Sequence, residues 1–126
     1  VSNILNHEPL LLKSDGLSSR NFCYLYDGVF GYFKALLDGE AGEAYNVSNP
    51  ESKIAIRDLA ELLVKAFPER KIEIAYANHN NVYLENPYKK QSTISVEKLE
   101  ALGWSPRISL EEGFRRTVES FMEEKK

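Results

Sequence analysis

The strand-forming stretches of this chain are few and short, and that limits its architecture more than any other property. Residues 9–13, 22–26, 44–47 and 72–76 carry the apolar density or period-two alternation of strands. Helical spacing predicts a helix over about 28–38, with Val29, Phe33, Leu36 and Leu37 on its buried face. Asp27 is its expected N-cap and Gly39 its stop. A second helix is expected over about 56–67, on Ile56, Leu59, Ala60, Leu63 and Phe67, ended by Pro68. Two more follow over about 95–103 and 109–123. Ser109-Leu110-Glu111-Glu112 forms a capping box for the last, and Leu110, Phe114, Val118 and Phe121 its buried stripe. Residues 1–7 read as the tail of a further helix. Four short strands cannot build a doubly wound sheet of the usual five or six. The expected fold class is therefore α/β: a small mixed lobe of short strands with about four to five helices, which completes another domain.

At 126 residues the chain fits one domain, residues 1–126, large enough to bury a core. Its net charge of −3 disfavours a broad electrostatic grip on nucleic acid. Cys23 is the sole cysteine, so no internal disulfide forms, which fits a reducing, cytoplasmic setting. No apolar run approaches the roughly 18 residues that a bilayer span needs. The chain begins at Val1 rather than a methionine, so an upstream segment is expected.

The chemistry a catalytic domain needs is missing from the pattern. A dinucleotide site requires a glycine-rich turn from strand to helix, where backbone N–H groups meet the pyrophosphate. Gly39-Glu40-Ala41-Gly42 follows a helix, and Gly28-Val29-Phe30-Gly31 lies inside one. Both read better as helix end and packing surface. No Tyr-x-x-x-Lys pair occurs, His7 and His79 have no metal-ligand spacing, and Cys23 reads as a small core residue. What remains is an anion-binding pattern. Arg20 follows the Ser14-Asp15-Gly16 turn and precedes a strand, where its fork of donors suits a diphosphate. A surface arginine or a partner for Asp27 is the plainer alternative. Lys89 and Lys90 close the loop expected over 78–91 and add charge there, or form an ordinary solvated pair.

Several segments in order give the chain a family likeness. They are Asp15-Gly16 with Arg20-Asn21-Phe22-x-Tyr24-x-x-Asp27, then Gly42-Glu43-Ala44-Tyr45-Asn46-Val47-x-Asn49-Pro50. Ile54-x-Ile56-x-Asp58-Leu59-Ala60 follows, then Leu102-Gly103-Trp104-x-Pro106 and Ser109-Leu110-Glu111-Glu112-Gly113. Together they resemble the carboxy-terminal, substrate-binding region of extended short-chain dehydrogenase/reductases, the epimerases, 4,6-dehydratases and decarboxylases of nucleotide-sugars. The resemblance implies that Arg20 contacts the diphosphate of the nucleotide-sugar and Lys90 gives a second phosphate contact. It implies that Leu11, Leu12 and Lys13 line the base, with Tyr24 near the sugar or in a structural role. It further implies an NAD- or NADP-binding Rossmann domain upstream, which carries the catalytic tyrosine and lysine, so that residues 1–126 alone hold no cofactor and are inactive. The parent enzyme would be a homodimer. Two departures stand out. Lys13 replaces an aromatic common in the family, and Lys90-Gln91-Ser92-Thr93 stands where arginine followed by Pro-Asp is frequent. A stand-alone module binding a phosphorylated ligand or a protein is the competing reading.

Overall fold

The computed structural model describes residues 1–77 and 94–123. Their order is α1 (Ser2–Leu5), β1 (Leu10–Leu12), β2 (Ser19–Asn21), α2 (Leu25–Asp38), β3 (Lys53–Ala55), α3 (Ile56–Ala66), β4 (Ile74–Tyr76), α4 (Glu97–Ala101) and α5 (Leu110–Glu123). Short 3₁₀ turns occupy Pro50–Ser52 and Pro68–Arg70. The mixed α/β class is as expected. The chain divides into two compact units, interleaved in sequence. The first comprises Val1–Arg20, Ile54–Gln91 and Glu111–Lys126; the second comprises Asn21–Lys53 and Ser92–Leu110. β2 pairs with β3, and the unit boundaries fall within both strands. Among the described residues no helix is long and apolar enough to cross a membrane.

The first unit is organised by a parallel pair, β1 with β4, in which Leu10, Leu11 and Leu12 face Ile74, Ala75 and Tyr76. Backbone bonds from Leu10 to Glu73 (2.8 Å) and from Ala77 to Leu12 (2.9 Å) extend the ladder. α3 covers it with the stripe that its spacing predicts: Leu59, Ala60, Leu63 and Ala66 are buried. Phe67, Ile72, Ile4 and Val118 of α5 are buried too. Residues 14–18 form a turn latched onto the start of α3. Asp15 Oδ1 accepts from Leu17 N–H at 3.0 Å. The carbonyls of Gly16 and Ser18 accept from Arg57 and Ile56 at 3.0 and 3.1 Å. Gly16 sits at φ +71°, and a Cβ there would lie 2.9 Å from that of Arg57, so both conformation and space call for glycine.

In the second unit Trp104, Val96 and Leu99 form the core, with Cys23, Phe30, Ala35, Tyr45, Val47 and Leu102 packed on it. Several expectations are corrected here. The strand expected at 22–26 lies earlier, at Ser19–Asn21, and α2 begins at Leu25, one turn sooner than predicted. The alternation of Phe22, Tyr24 and Tyr26 imitates a strand, but the longer helical period running on from residue 25 wins. Asp27 is not the N-cap; Tyr24 holds that place without a side-chain bond. Asp27 instead lies inside the first helical turn, 1% exposed. Its Oδ2 accepts from the N–H groups of Arg107 (3.1 Å) and Ile108 (2.9 Å). Its Oδ1 is buried without a bond among the described residues. The Asp27 carbonyl takes the Trp104 indole N–H at 3.0 Å, so Trp104 anchors its segment to α2. The α2 face predicted to be buried, Val29, Phe33, Leu36 and Leu37, is exposed. Residues 44–47 form no strand; side chains hold them, with Val47 against the core and Asn46 Nδ2 donating to Ser95 O (2.9 Å). β3 was not anticipated, since Lys-Ile-Ala is too short to show a period.

Candidate functional site

Among the described residues, cavities of useful size open in the first unit. One, of about 390 Å³, has Leu11, Leu12 and Lys13 on one wall and Ile56, Leu59 and Leu63 of α3 on the other. The second, of about 370 Å³, is lined by Asp58, Glu61 and Glu111, with Lys65 the one cation among its described lining residues. Three carboxylates against one ammonium repel a diphosphate. In the first cavity Lys13 is the only charged residue among the described lining, which is otherwise apolar apart from Asn3. That combination, a mainly hydrophobic cleft with a few polar groups (here Asn3 and Lys13), is what small-molecule sites generally show.

The three predicted base-lining residues therefore share one cavity. Leu12 is buried within it while Leu11 and Lys13 are exposed, as period-two alternation along β1 requires. Lys13 presents an ammonium where a ring would offer a stacking face. Arg20 lies on β2, solvent-facing, and does not line this cavity. Its Nη1 donates to the carbonyl of its neighbour Ser19 at 2.9 Å, and among the described residues no carboxylate pairs with it. Asp27, the alternative partner for Arg20, is buried with Oδ2 engaged by backbone N–H groups. The guanidinium thus keeps most of its donors available to an anion.

Tyr24 belongs to the second unit, half-buried at the N-cap of α2, where its carbonyl accepts from Gly28 N–H at 3.0 Å. Lys90, like Lys89, His79 and the loop expected over 78–91, lies outside the described residues. The α3 wall, Ile56, Leu59 and Leu63, was read from sequence as core alone. Periodicity marks such residues as apolar but not that they face a cleft.

The glycines do not fit a dinucleotide. Gly31 is wedged against other side chains, its added Cβ meeting Val47 Cγ1 at 3.0 Å and Trp104 Nε1 at 3.1 Å. Gly39 caps the end of α2, and Gly42 occupies a turn at φ +87°. The first two N–H groups of α3 are taken by the Ser18 and Gly16 carbonyls, so that helix start offers no open anion cradle. Among the described residues no cluster of three or more His, Cys, Asp or Glu is placed to hold a metal.

No family model matches the chain. It is 28% identical over 120 residues to dTDP-D-glucose 4,6-dehydratase of Mus musculus, covering 94% of this chain and 34% of that protein. It is 31% identical over 121 residues to UDP-glucuronic acid decarboxylase 6 of Arabidopsis thaliana, covering 96% and 33%. Among solved structures, UDP-glucose 4-epimerase of Thermotoga maritima with UDP-glucose superposes at a TM-score of 0.79 with 25% identity, covering 98% of this chain and 38% of that one. The Bordetella bronchiseptica enzyme WbmF in complex with NADH gives 0.74 with 25% identity, covering 93% and 33%. The chain spans about a third of the length of the curated relatives it matches. Its homologues are nucleotide-sugar dehydratases and decarboxylases, and its fold is that of a portion of the extended short-chain dehydrogenase/reductase epimerases and dehydratases.

Proposed function

We propose that this relative of the nucleotide-sugar dehydratases and decarboxylases is the substrate-holding, carboxy-terminal part of an enzyme that acts on a nucleoside-diphosphate sugar. One observation carries the reading. The chain, which matches these enzymes over 94% of its own length, sets a cleft whose only charged residue among the described lining is a cation, in the same unit as an uncommitted guanidinium. A nucleotide-sugar needs an apolar surface for its base and cations for its diphosphate. Leu11, Leu12 and Lys13 serve the first, Arg20 and Lys90 the second. The reading leaves NAD or NADP to other polypeptide, because the glycines here are spent on packing and turns. When bound there, the dinucleotide supplies hydride transfer at the sugar. Residues 1–126 contribute orientation and affinity, which lower the barrier by fixing the reacting geometry.

The test is calorimetric titration of the complete gene product with UDP-glucose and dTDP-glucose. Arg20→Ala should weaken binding by about 10- to 100-fold, the effect of a lost charge-assisted contact. NAD affinity should stay unchanged. Failure of every nucleoside-diphosphate sugar to bind would end the reading, and loss of sugar and NAD binding together would remove Arg20 from the diphosphate.

A further inference from the structure

The cleft of the first unit has two unlike ends. β1 leads through Lys13 directly into the turn over residues 14–18. The carbonyls of Gly16 and Ser18 in that turn hold the N–H groups of Arg57 and Ile56. Lys13 therefore lies with the start of α3, and Leu10 with Leu63, two turns further along that helix. Asn3 belongs to the Leu10 end, because its Nδ2 donates to the Pro9 carbonyl at 2.6 Å.

Cations gather at the other end. Lys13 enters the turn, and Arg20 leaves it two residues after Ser18. Arg57 follows the residue that Ser18 grips. It precedes Ala60, a lining residue of the cleft, by three positions, the spacing of neighbours on one strip of a helix. Its side chain is about half exposed, and Nε meets Oδ1 of the adjacent Asp58 at 3.5 Å. That contact uses Nε alone and leaves the fork of terminal nitrogens for another acceptor. The nearby carboxylates have other engagements. Asp58 lines the second cavity, and Asp15 Oδ1 is taken by the Leu17 N–H. Since the first N–H groups of α3 are closed to an anion, recognition here falls to side chains.

We infer that Arg57 is a further phosphate ligand, joining Arg20 at the Lys13 end of the cleft, and that this fixes the direction of the bound nucleotide. The base points toward Asn3 and Leu63, the diphosphate toward the turn over residues 14–18. The inference rests on the proposed function and adds to it a residue and an orientation. Leu10 to Lys13 covers about 10 Å at the rise of a strand, which a base and its ribose fill. The phosphates then fall beyond Lys13, where Arg57 and Arg20 stand. A diphosphate carries more charge than one guanidinium offsets, and two planar forks can divide its oxygens between them.

Arg57→Ala tests this cleanly, because the latch onto Gly16 uses the backbone N–H, which alanine keeps. In the complete gene product, calorimetric titration with UDP-glucose should show about tenfold weaker binding, the loss of one charge-assisted contact. NAD affinity should not change. Arg57→Gln, close in length and without charge, should lose as much, and it carries the test if the alanine variant misfolds. Raising salt from about 0.05 to about 1 M should narrow the gap between wild type and either variant, since a half-exposed ion contact is screened. A gap that salt leaves intact would overturn the assignment, as would an equal loss of NAD binding. If the unaltered product binds UDP-glucose and both variants bind it equally well, Arg57 is struck and the proposed function stands. If the unaltered product binds neither UDP-glucose nor dTDP-glucose, the function falls and Arg57 falls with it.

Discussion

α2 and α3 are both amphipathic, and they use their apolar faces in opposite ways. α3 turns Leu59, Ala60, Leu63 and Ala66 into its own unit and exposes its charges. α2 turns Gly31 and the carboxylate of Asp27 inward and leaves its leucines outside. Periodicity reports that a helix has an apolar stripe but not which side the rest of the protein occupies. The small residues and the buried charge of α2 hold that second piece of information. A helix packs closely where its side chains are smallest, and a carboxylate goes inside only where donors wait for it.

Substitutions on the two helices of the 126-residue chain should separate these roles, and urea denaturation measures each. Leu63→Ala should cost about 2–5 kcal/mol, the range for an emptied core site. A cost under 1 kcal/mol would mean that the α3 cleft already behaves as solvent. Asp27→Ala should cost about 2–3 kcal/mol, through two lost charge-assisted bonds to the backbone of residues 107 and 108. Gly31→Ala should cost about 1–2 kcal/mol, overpacking against Val47, Leu99 and Trp104 exceeding the gain in helix propensity. A stabilised variant would show that α2 sits less closely than described. Burial pushes the Cys23 thiol above its ordinary value, and the Asp27 carboxylate adds to the shift. A raised value keeps the thiol neutral as pH passes through the usual thiol range, so iodoacetamide alkylation should still be accelerating above it. Asp27→Asn should bring that midpoint down. Smallest of all, Leu36→Ser should change stability by less than about 0.5 kcal/mol in the 126-residue chain, as exposed sites do. A larger loss there would erase the contrast between the helices.

Much of the architecture was legible in the residues. α3, α5 and both strands of the parallel pair lie where apolar spacing put them, within a residue or two. The likeness of the Asp15-Gly16 and Arg20-Asn21-Phe22 segments to the nucleotide-sugar enzymes points to Leu11, Leu12 and Lys13 as base-lining, and the three residues share one cavity. Two things were not. Asp27 looked like a cap because a carboxylate before an apolar helix usually is one; its partners are 80 residues further on, and local pattern cannot see them. β2 and β3 stabilise one another across the chain although neither shows a strand period by itself. The α3 wall of the cleft escaped notice for a similar reason, since core and cleft residues share one apolar alphabet.

The interleaving of the two units bears on how the protein is made. β1 must wait for Ile74 to be translated before it gains its parallel partner. Asp27 waits longer still, for Arg107 and Ile108. Neither unit can therefore finish before residue 108 has been translated, and no single cut yields either one whole. Nascent chains stalled short of residue 108 would leave the Asp27 carboxylate without its backbone donors and α2 without its Trp104 anchor, the incompletely packed state in which chaperones find their clients.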